Sequence, residues 1–300
     1  MAFRIPDSIS QRNFLSNAGT QQFRVSSLQE QIVSGKRINR ASDDPGGTEA
    51  VISLRTSQSE IDQFARNADT ASRKLTAADD TLSGYRNVLD RIRTLFAQGI
   101  SDTTTDEARG FIAVEIEALR TSILRIANTE QNGEFIFGGT RQDTPPFDSS
   151  GTLSATPATF QFVQIEPGAD ALAVGVTADT IFTDATANIF DDLTDAAAAL
   201  RGTGDPVADH AALQTAIDRV DVYTDLATVA HSFVGVNSEI TDIVKDRLVD
   251  TNISYSAQIS AIEDTDFTEA VFDLSKAQQS LEAIYQLAAT SRRSLIDFLG

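Results

Sequence analysis

The chain has 300 residues, with 24 Lys and Arg side chains against 43 Asp and Glu, and a formal net charge of −19. This acidity argues against a nucleic-acid binder, which presents a basic face to the phosphates. The chain has no cysteine, and its two histidines, His210 and His231, are far apart in sequence. We therefore expect no metal site, no cofactor and no enzymatic activity.

The N-terminal segment carries an apolar stripe at helical spacing. Its members are Phe14, Ala18, Val25, Leu28 and Ile32. The stripe predicts an amphipathic helix that needs a partner, because a single amphipathic helix is marginal in water. Further on, Asp43 and Asp44 directly precede Pro45, a residue that suits the first turn of a helix. We expect this acidic pair to cap a long helix that follows it.

A heptad repeat occupies the next part of the chain. Every seventh residue is apolar in the series Leu54, Ile61, Ala68, Leu75, Leu82, Leu89 and Phe96. A seam with a period of 3.5 residues predicts a long helix in a coiled coil or a narrow bundle. A polar break at residues 102–106 separates it from a second periodic segment around Ile116 and Ile123.

The middle of the chain changes character. Four of the seven prolines fall between Pro145 and Pro167, so helix cannot persist there. Asn132-Gly133 predicts a tight turn, and short strands are predicted at residues 134–137, 160–165 and 171–176. Helical periodicity returns after Pro206. We expect a mainly α fold: an elongated rod of long coiled-coil or bundled helices from both termini, with a small β insertion in the middle.

The C-terminal segment carries a second stripe. It includes Phe267, Val271, Leu274, Leu281, Tyr285 and Leu295. The two terminal stripes admit two arrangements: they pair with each other as an antiparallel closure, or they stay incomplete until neighbouring subunits cover them.

Both ends resemble the bacterial flagellins and flagellar hook-associated proteins. The resemblance rests on residues 28–39 (LQEQIVSGKRIN), 41–45 (ASDDP), 65–68 (ARNA), 279–283 (QSLEA) and 294–299 (SLIDFL). It covers about residues 1–140 and 230–300. Asp44 followed by Pro45 and the run NGEFIFGG at residues 132–139 resemble the member at the hook–filament junction more than a filament flagellin. Gly46-Gly47 departs from the family, where Ala is common, and is expected to loosen the start of the long helix.

The resemblance implies a structural subunit with three parts. Residues 1–45 with 255–300 would form a terminal helical layer that is mobile in the monomer. Residues 46–143 with 188–254 would form a helical rod, and residues 144–187 a small β-rich insertion facing outward. Assembly contacts are expected at Leu28, Ile32, Ile38, Leu274, Leu281, Tyr285 and Leu295, and the bend between layers at Arg37, Asn39, Asp43, Asp44 and Pro45.

The resemblance also implies partners and a location. The partners would be hook-associated protein 1, flagellin, identical copies in a ring, and an export chaperone on the C-terminal helix, with no nucleic acid and no membrane insertion. The first ten residues show no classical secretory signal. Export of the unfolded chain through the flagellar type III channel to the extracellular flagellum would explain this. The alternatives are a small flagellin and a cytoplasmic coiled-coil scaffold.

Overall fold

The computed structural model describes residues 7–154, 159–184 and 187–299, with side chains described between residues 12 and 289 of these ranges. Helices dominate the described residues. The helices are α1 (Asp7–Ser34), α2 (Pro45–Gly99), α3 (Asp106–Ala127), α4 (Ala178–Phe182), α5 (Ile189–Arg201), α6 (Pro206–Glu263) and α7 (Phe267–Leu299). The strands are β1 (Glu130–Gln131), β2 (Glu134–Phe135), β3 (Phe162–Val163) and β4 (Leu172–Ala173). The mainly α class predicted from the sequence is confirmed.

The two long helices follow from the heptads. α2 has 55 residues and α6 has 58, about 80–90 Å each at the rise of an α-helix. α6 passes through the exposed Gly235 without a break. At the start of α6, Asp205 accepts hydrogen bonds from the Val207 and Ala208 N–H groups, which caps the first turn.

The strands pair as two small antiparallel sheets. β1 and β2 form a hairpin whose turn residues Asn132 and Gly133 both have positive φ, 55° and 86°. The predicted Asn-Gly turn is therefore present. β3 pairs with β4 through Phe162–Ala173 and Val163–Leu172. Each strand has only two residues, and residues 144–187 also contain the helix α4, so this segment has less strand than the sequence predicts.

The chain divides into two compact units. The first comprises the described residues up to Glu60 and from Thr251 onward, and the second comprises the described residues from Ile61 to Asp250. The core of the second unit is built on the buried heptad of α2, including Leu75, Leu82 and Leu89.

The middle of the chain completes this core. Its aromatic side chains pack closely: the rings of Tyr85 and Phe182 are tilted with centroids 4.7 Å apart, and those of Phe147 and Phe190 lie edge to face with centroids 4.8 Å apart. Phe147 and Phe182 belong to the segment predicted as an outward insertion, yet both are buried. The burial of Ile181 and Phe182 explains why the short helix α4 forms within a segment that was expected to be β-rich, since packing in the core fixes its conformation.

Candidate assembly surface

α1 and α7 lie side by side and antiparallel in the first unit. Arg24 of α1 is ion-paired with Asp273 of α7 at 2.9 Å. Lys36, just after α1, forms a β-bridge with Asp264, just before α7. Small buried residues on the two helices allow close approach: Ala18, Val25, Ala270 and Ala277. The terminal stripes therefore pair with each other inside the chain, the first of the two arrangements that the sequence admits.

The predicted contact residues fall into different environments. Half-buried side chains on this helix pair are Leu28, Ile32, Leu274 and Leu281. Ile38 is buried in the loop after α1, whereas Tyr285 is 53% exposed. Leu295 lies outside the residues whose side chains the structure describes. Most of the predicted set thus belongs to packing within the chain.

A second set of apolar residues lies on the outside of the same two helices. These large side chains are exposed: Leu15, Phe23, Val33, Phe267, Val271, Phe272, Tyr285 and Leu287. Phe267, Val271 and Tyr285 already belong to the C-terminal stripe, whereas the other five were missed because they lie off the predicted stripes. The available signal was their position beside stripe residues, as Leu15 is beside Phe14. A helix pair with apolar residues on its outer side as well has surface left for another protein.

The loop between α1 and α2 is held by side chains that the sequence singled out. Arg37 Nη2 donates to the Ile262 carbonyl at 2.8 Å and to Asp44 Oδ2 at 3.2 Å. Asp43 Oδ2 accepts from the Asn39 and Arg40 N–H groups at 3.1 and 2.9 Å. The predicted bend residues therefore lie together and order one loop.

Asp44 caps α2, which begins at Pro45. Its Oδ1 accepts from the Gly47 N–H at 2.9 Å, the hydrogen bond expected of an N-cap aspartate. A Cβ on Gly47 would lie 2.6 Å from Asp44 Oδ2 and 2.7 Å from Ile38 Cδ1. A side chain at this position would therefore require the Asp44 and Ile38 side chains to shift, which gives the glycine a steric role beside the expected loosening of the helix start.

This hydrogen bonding also sets the electrostatics of Asp44. The Gly47 N–H first, and then the Arg37 guanidinium, hold the pKa of the Asp44 carboxyl below its ordinary value. Both donors favour the charged carboxylate. The cap is thus strongest when Asp44 is ionised.

Glu263, at the end of α6, was not predicted. Its side chain is buried and accepts from Lys36 Nζ at 3.0 Å and from Arg55 Nη2 at 2.6 Å. Its carbonyl accepts from the Arg37 N–H at 2.7 Å. The partners are more than 200 positions away in sequence. No spacing rule predicts such a cluster, which ties the loop after α1 to α2 and to the end of α6.

The remaining chemistry is structural. Among the described residues, no group of three or more His, Asp or Glu side chains is arranged to hold a metal ion. His231 Nε2 lies 3.1 Å from Asp79 Oδ1. No helix in the described part of the chain is both long and apolar enough to cross a membrane. The notable features are therefore surfaces and ordered connections rather than a reaction centre.

Comparison with known proteins identifies the class first. Residues 5–142 match the family model of the bacterial flagellin N-terminal helical region. These residues include α1, the capped loop, the whole α2 heptad and α3. The chain is a flagellin-like structural protein of the bacterial flagellum and not an enzyme.

Individual relatives are more specific. Flagellar hook-associated protein 3 of Escherichia coli strain K12 is 25% identical over 276 residues, 86% of this chain and 87% of that protein. A flagellar hook-associated protein of Vibrio parahaemolyticus has the same fold, with a TM-score of 0.68 and 19% identity over 74% of this chain and 100% of its own. The flagellar junction protein of Legionella pneumophila has a TM-score of 0.58 and 16% identity, over 73% of this chain and 100% of its own. The predicted resemblance to hook-associated protein 3 is confirmed.

Proposed function

We propose that this chain is the junction subunit of the flagellum, placed between hook-associated protein 1 and the first flagellin subunits. The observation that carries this is the α1–α7 pair, which is closed inside the chain yet keeps large apolar side chains such as Phe23 and Phe272 on its outer side. Flagellar neighbours with similar terminal helices would cover that side. The similarity to hook-associated protein 3 over 86% of the chain supports the junction over the filament itself.

The parts of the chain then take different roles. Residues 1–45 with 255–300 form the inner layer, residues 46–143 with 188–254 the rod, and residues 144–187 an outward part. The loop of Arg37, Asn39, Asp43, Asp44 and Pro45 sets the bend between the inner layer and the rod. Its support is the hydrogen bonding that orders it from both ends.

Export and assembly follow the same logic. The chain leaves the cell unfolded through the type III channel, with a chaperone covering the C-terminal helix until delivery. Exposed apolar residues on α7, such as Phe272 and Leu287, give a chaperone a surface to shield. Outside the cell, identical copies form a ring.

Immunogold electron microscopy tests the junction role. Antibody raised against the chain is applied to intact flagella from cells that express it, and flagella from cells lacking it serve as the control. We expect one band of gold at the boundary between hook and filament. Gold along the whole filament would make this chain a small flagellin, and a label confined to the cytoplasm would favour a scaffold.

A further inference from the structure

The second unit carries a partly uncovered apolar seam on α6. Between Val222 and Ile243, apolar side chains recur every three or four residues along one side, and Val229 and Val236 are 68% and 60% exposed. We call this set the α6 seam: Val222, Leu226, Val229, Phe233, Val236, Ile240 and Ile243. The core-facing residues of α6, such as Val220 and Ala227, lie about 100° away around the helix. α6 thus has two adjacent apolar sides. The core fills one of them. On the other, Leu226 packs at the edge of the core and the Phe233 ring lies 5.8 Å from that of Phe160, while Val229 and Val236 stay uncovered.

An acidic edge borders the α6 seam on its outer side. Four exposed carboxylates share one heptad position, at Asp218, Asp225, Glu239 and Asp246. None of the four is in an ion pair with any residue that the structure describes. A partner that covers the seam would therefore gain from a basic residue beside its own apolar contacts.

Helix α3 offers such a surface in the same unit. Phe111 and Val114 are 70% and 59% exposed, on the opposite side of α3 from its buried Ile116. Outside α6, the other large exposed apolar residue described in this unit is Phe162. We call the outer side of α3 the α3 stripe: Phe111, Val114, Ala118 and Arg125. Its apolar part is followed by the exposed Arg125, which is in no ion pair with a described residue.

The directions of these surfaces match, and the shorter α3 stripe fits within the length of the α6 seam. The ion pairs Asp69–Lys245 and Asp79–His231 show that α2 and α6 are antiparallel. A helix that is also antiparallel to α2 is therefore parallel to α6, and α3 is such a helix. Arg91 of α2 pairs with Glu115 in the helix that follows it, as an antiparallel neighbour does. The α3 stripe spans about 21 Å and the α6 seam about 32 Å. With Ala118 against Val236, Arg125 comes level with Ile243, between Glu239 and Asp246 of the acidic edge.

We propose that the α6 seam of one copy docks on the α3 stripe of a second copy of this chain. The two surfaces differ, so the contact is head to tail and can continue from copy to copy around a closed ring. Seam against seam would bring two acidic edges together and is disfavoured by like-charge repulsion. The inference rests on the proposed junction function, because it names the lateral contact within that assembly.

Disulfide cross-linking in intact flagella tests the contact. The chain has no native cysteine, so only introduced thiols react. Ala118→Cys is combined in turn with Val229→Cys, Val236→Cys and Ile243→Cys, positions one heptad apart that measure the register. The matched control combines Ala118→Cys with Asp242→Cys, which is exposed on α6 about 100° from Ile243.

We expect one seam pairing to give a ladder of dimers, trimers and larger species on a reducing-agent-free gel. Each single variant and the Asp242 control should stay monomeric. A ladder that stops at dimers would contradict the head-to-tail contact. Equal cross-linking of the control, or none from any seam position in flagella that contain the protein, would overturn the inference.

Charge exchange gives a second measurement that does not depend on thiols. Arg125→Glu should reduce the amount of this protein retained in purified flagella several-fold, and adding Glu239→Lys with Asp246→Lys should restore it. Arg73→Glu, an exposed arginine of α2 in no described ion pair, changes the net charge equally and should have no effect. Failure of rescue in a variant with normal helicity would contradict the proposed pairing.

The two proposals fail separately. Gold at the hook–filament boundary without a cross-linked ladder would support the junction function and contradict the docking surface. A cross-linked ladder with gold along the whole filament would support the docking surface and contradict the junction function.

Discussion

Glu263 holds two cations from different parts of the first unit. Its buried carboxylate receives Lys36 and Arg55 at 3.0 and 2.6 Å, so it is the point where the loop after α1, the helix α2 and the end of α6 are joined. The two cations remain about half exposed. The buried carboxylate of Glu263 therefore relies on its two partners for compensation of its charge, whereas each cation is also reached by water.

Glu263→Gln is expected to lower the free energy of unfolding by about 1–3 kcal/mol, because it replaces charge-assisted hydrogen bonds with neutral ones at a buried position. Urea unfolding followed by far-ultraviolet circular dichroism measures the change. Glu30→Gln removes an exposed pair with Arg40 and should cost less than about 1 kcal/mol. Equal losses in the two variants would show that burial does not distinguish them.

Asp44 gives a pH-dependent contribution of defined sign. Its pKa is lower in the folded chain than the ordinary value of about 4. The stabilisation is thus fully present above the ordinary pKa and is lost as the pH falls through the lower folded value. Asp44→Asn keeps an acceptor for Gly47 but no charge for Arg37, so its melting temperature should fall less steeply on acidification than that of the wild type. An equally steep fall of the melting temperature with decreasing pH in the two proteins would contradict this prediction.

At the scale of elements, the outer side of the α1–α7 pair separates folding from assembly. Phe272 is 68% exposed, so Phe272→Ser should leave the melting temperature within about 2 °C of the wild type, since exposed substitutions usually change stability little. It should nevertheless reduce incorporation into flagella. Leu281→Asp is expected to abolish assembly as well, with the helicity of the second unit retained. Its half-buried position adds a loss of local stability that Phe272→Ser lacks.

The elements that could be predicted from the sequence are those that depend on short-range sequence patterns. The α2 heptad, the Asn132-Gly133 turn and the Asp44 cap are each determined by residues within a few positions of one another. α4 was missed because five residues carry too little periodicity to oppose the surrounding turn chemistry. Glu263 and most of the outer residues of α1 and α7 were missed because their roles depend on neighbours more than 200 positions away or on a second side of a helix.

At the scale of the whole molecule, limited proteolysis tests how the chain divides. The sequence predicts a resistant core near residues 46–254, and the second unit seen in the structure runs from Ile61 to Asp250. We expect early cleavage within residues 1–45 and 255–300 and a persistent fragment that contains the second unit. Mass spectrometry of the fragment ends makes the measurement. Uniform digestion along the chain would contradict a division into parts of different stability.

The pairing of α1 with α7 has a consequence for the order in which the chain folds. Arg24 and Asp273, partners in this pair, are separated by 249 positions. Closing so distant a contact carries a large loop entropy and is intrinsically slow. The second unit, drawn from one continuous stretch, can form while the last segment is still arriving. The first unit has to wait for α7, so its closure reports that the chain has been delivered as far as this helix.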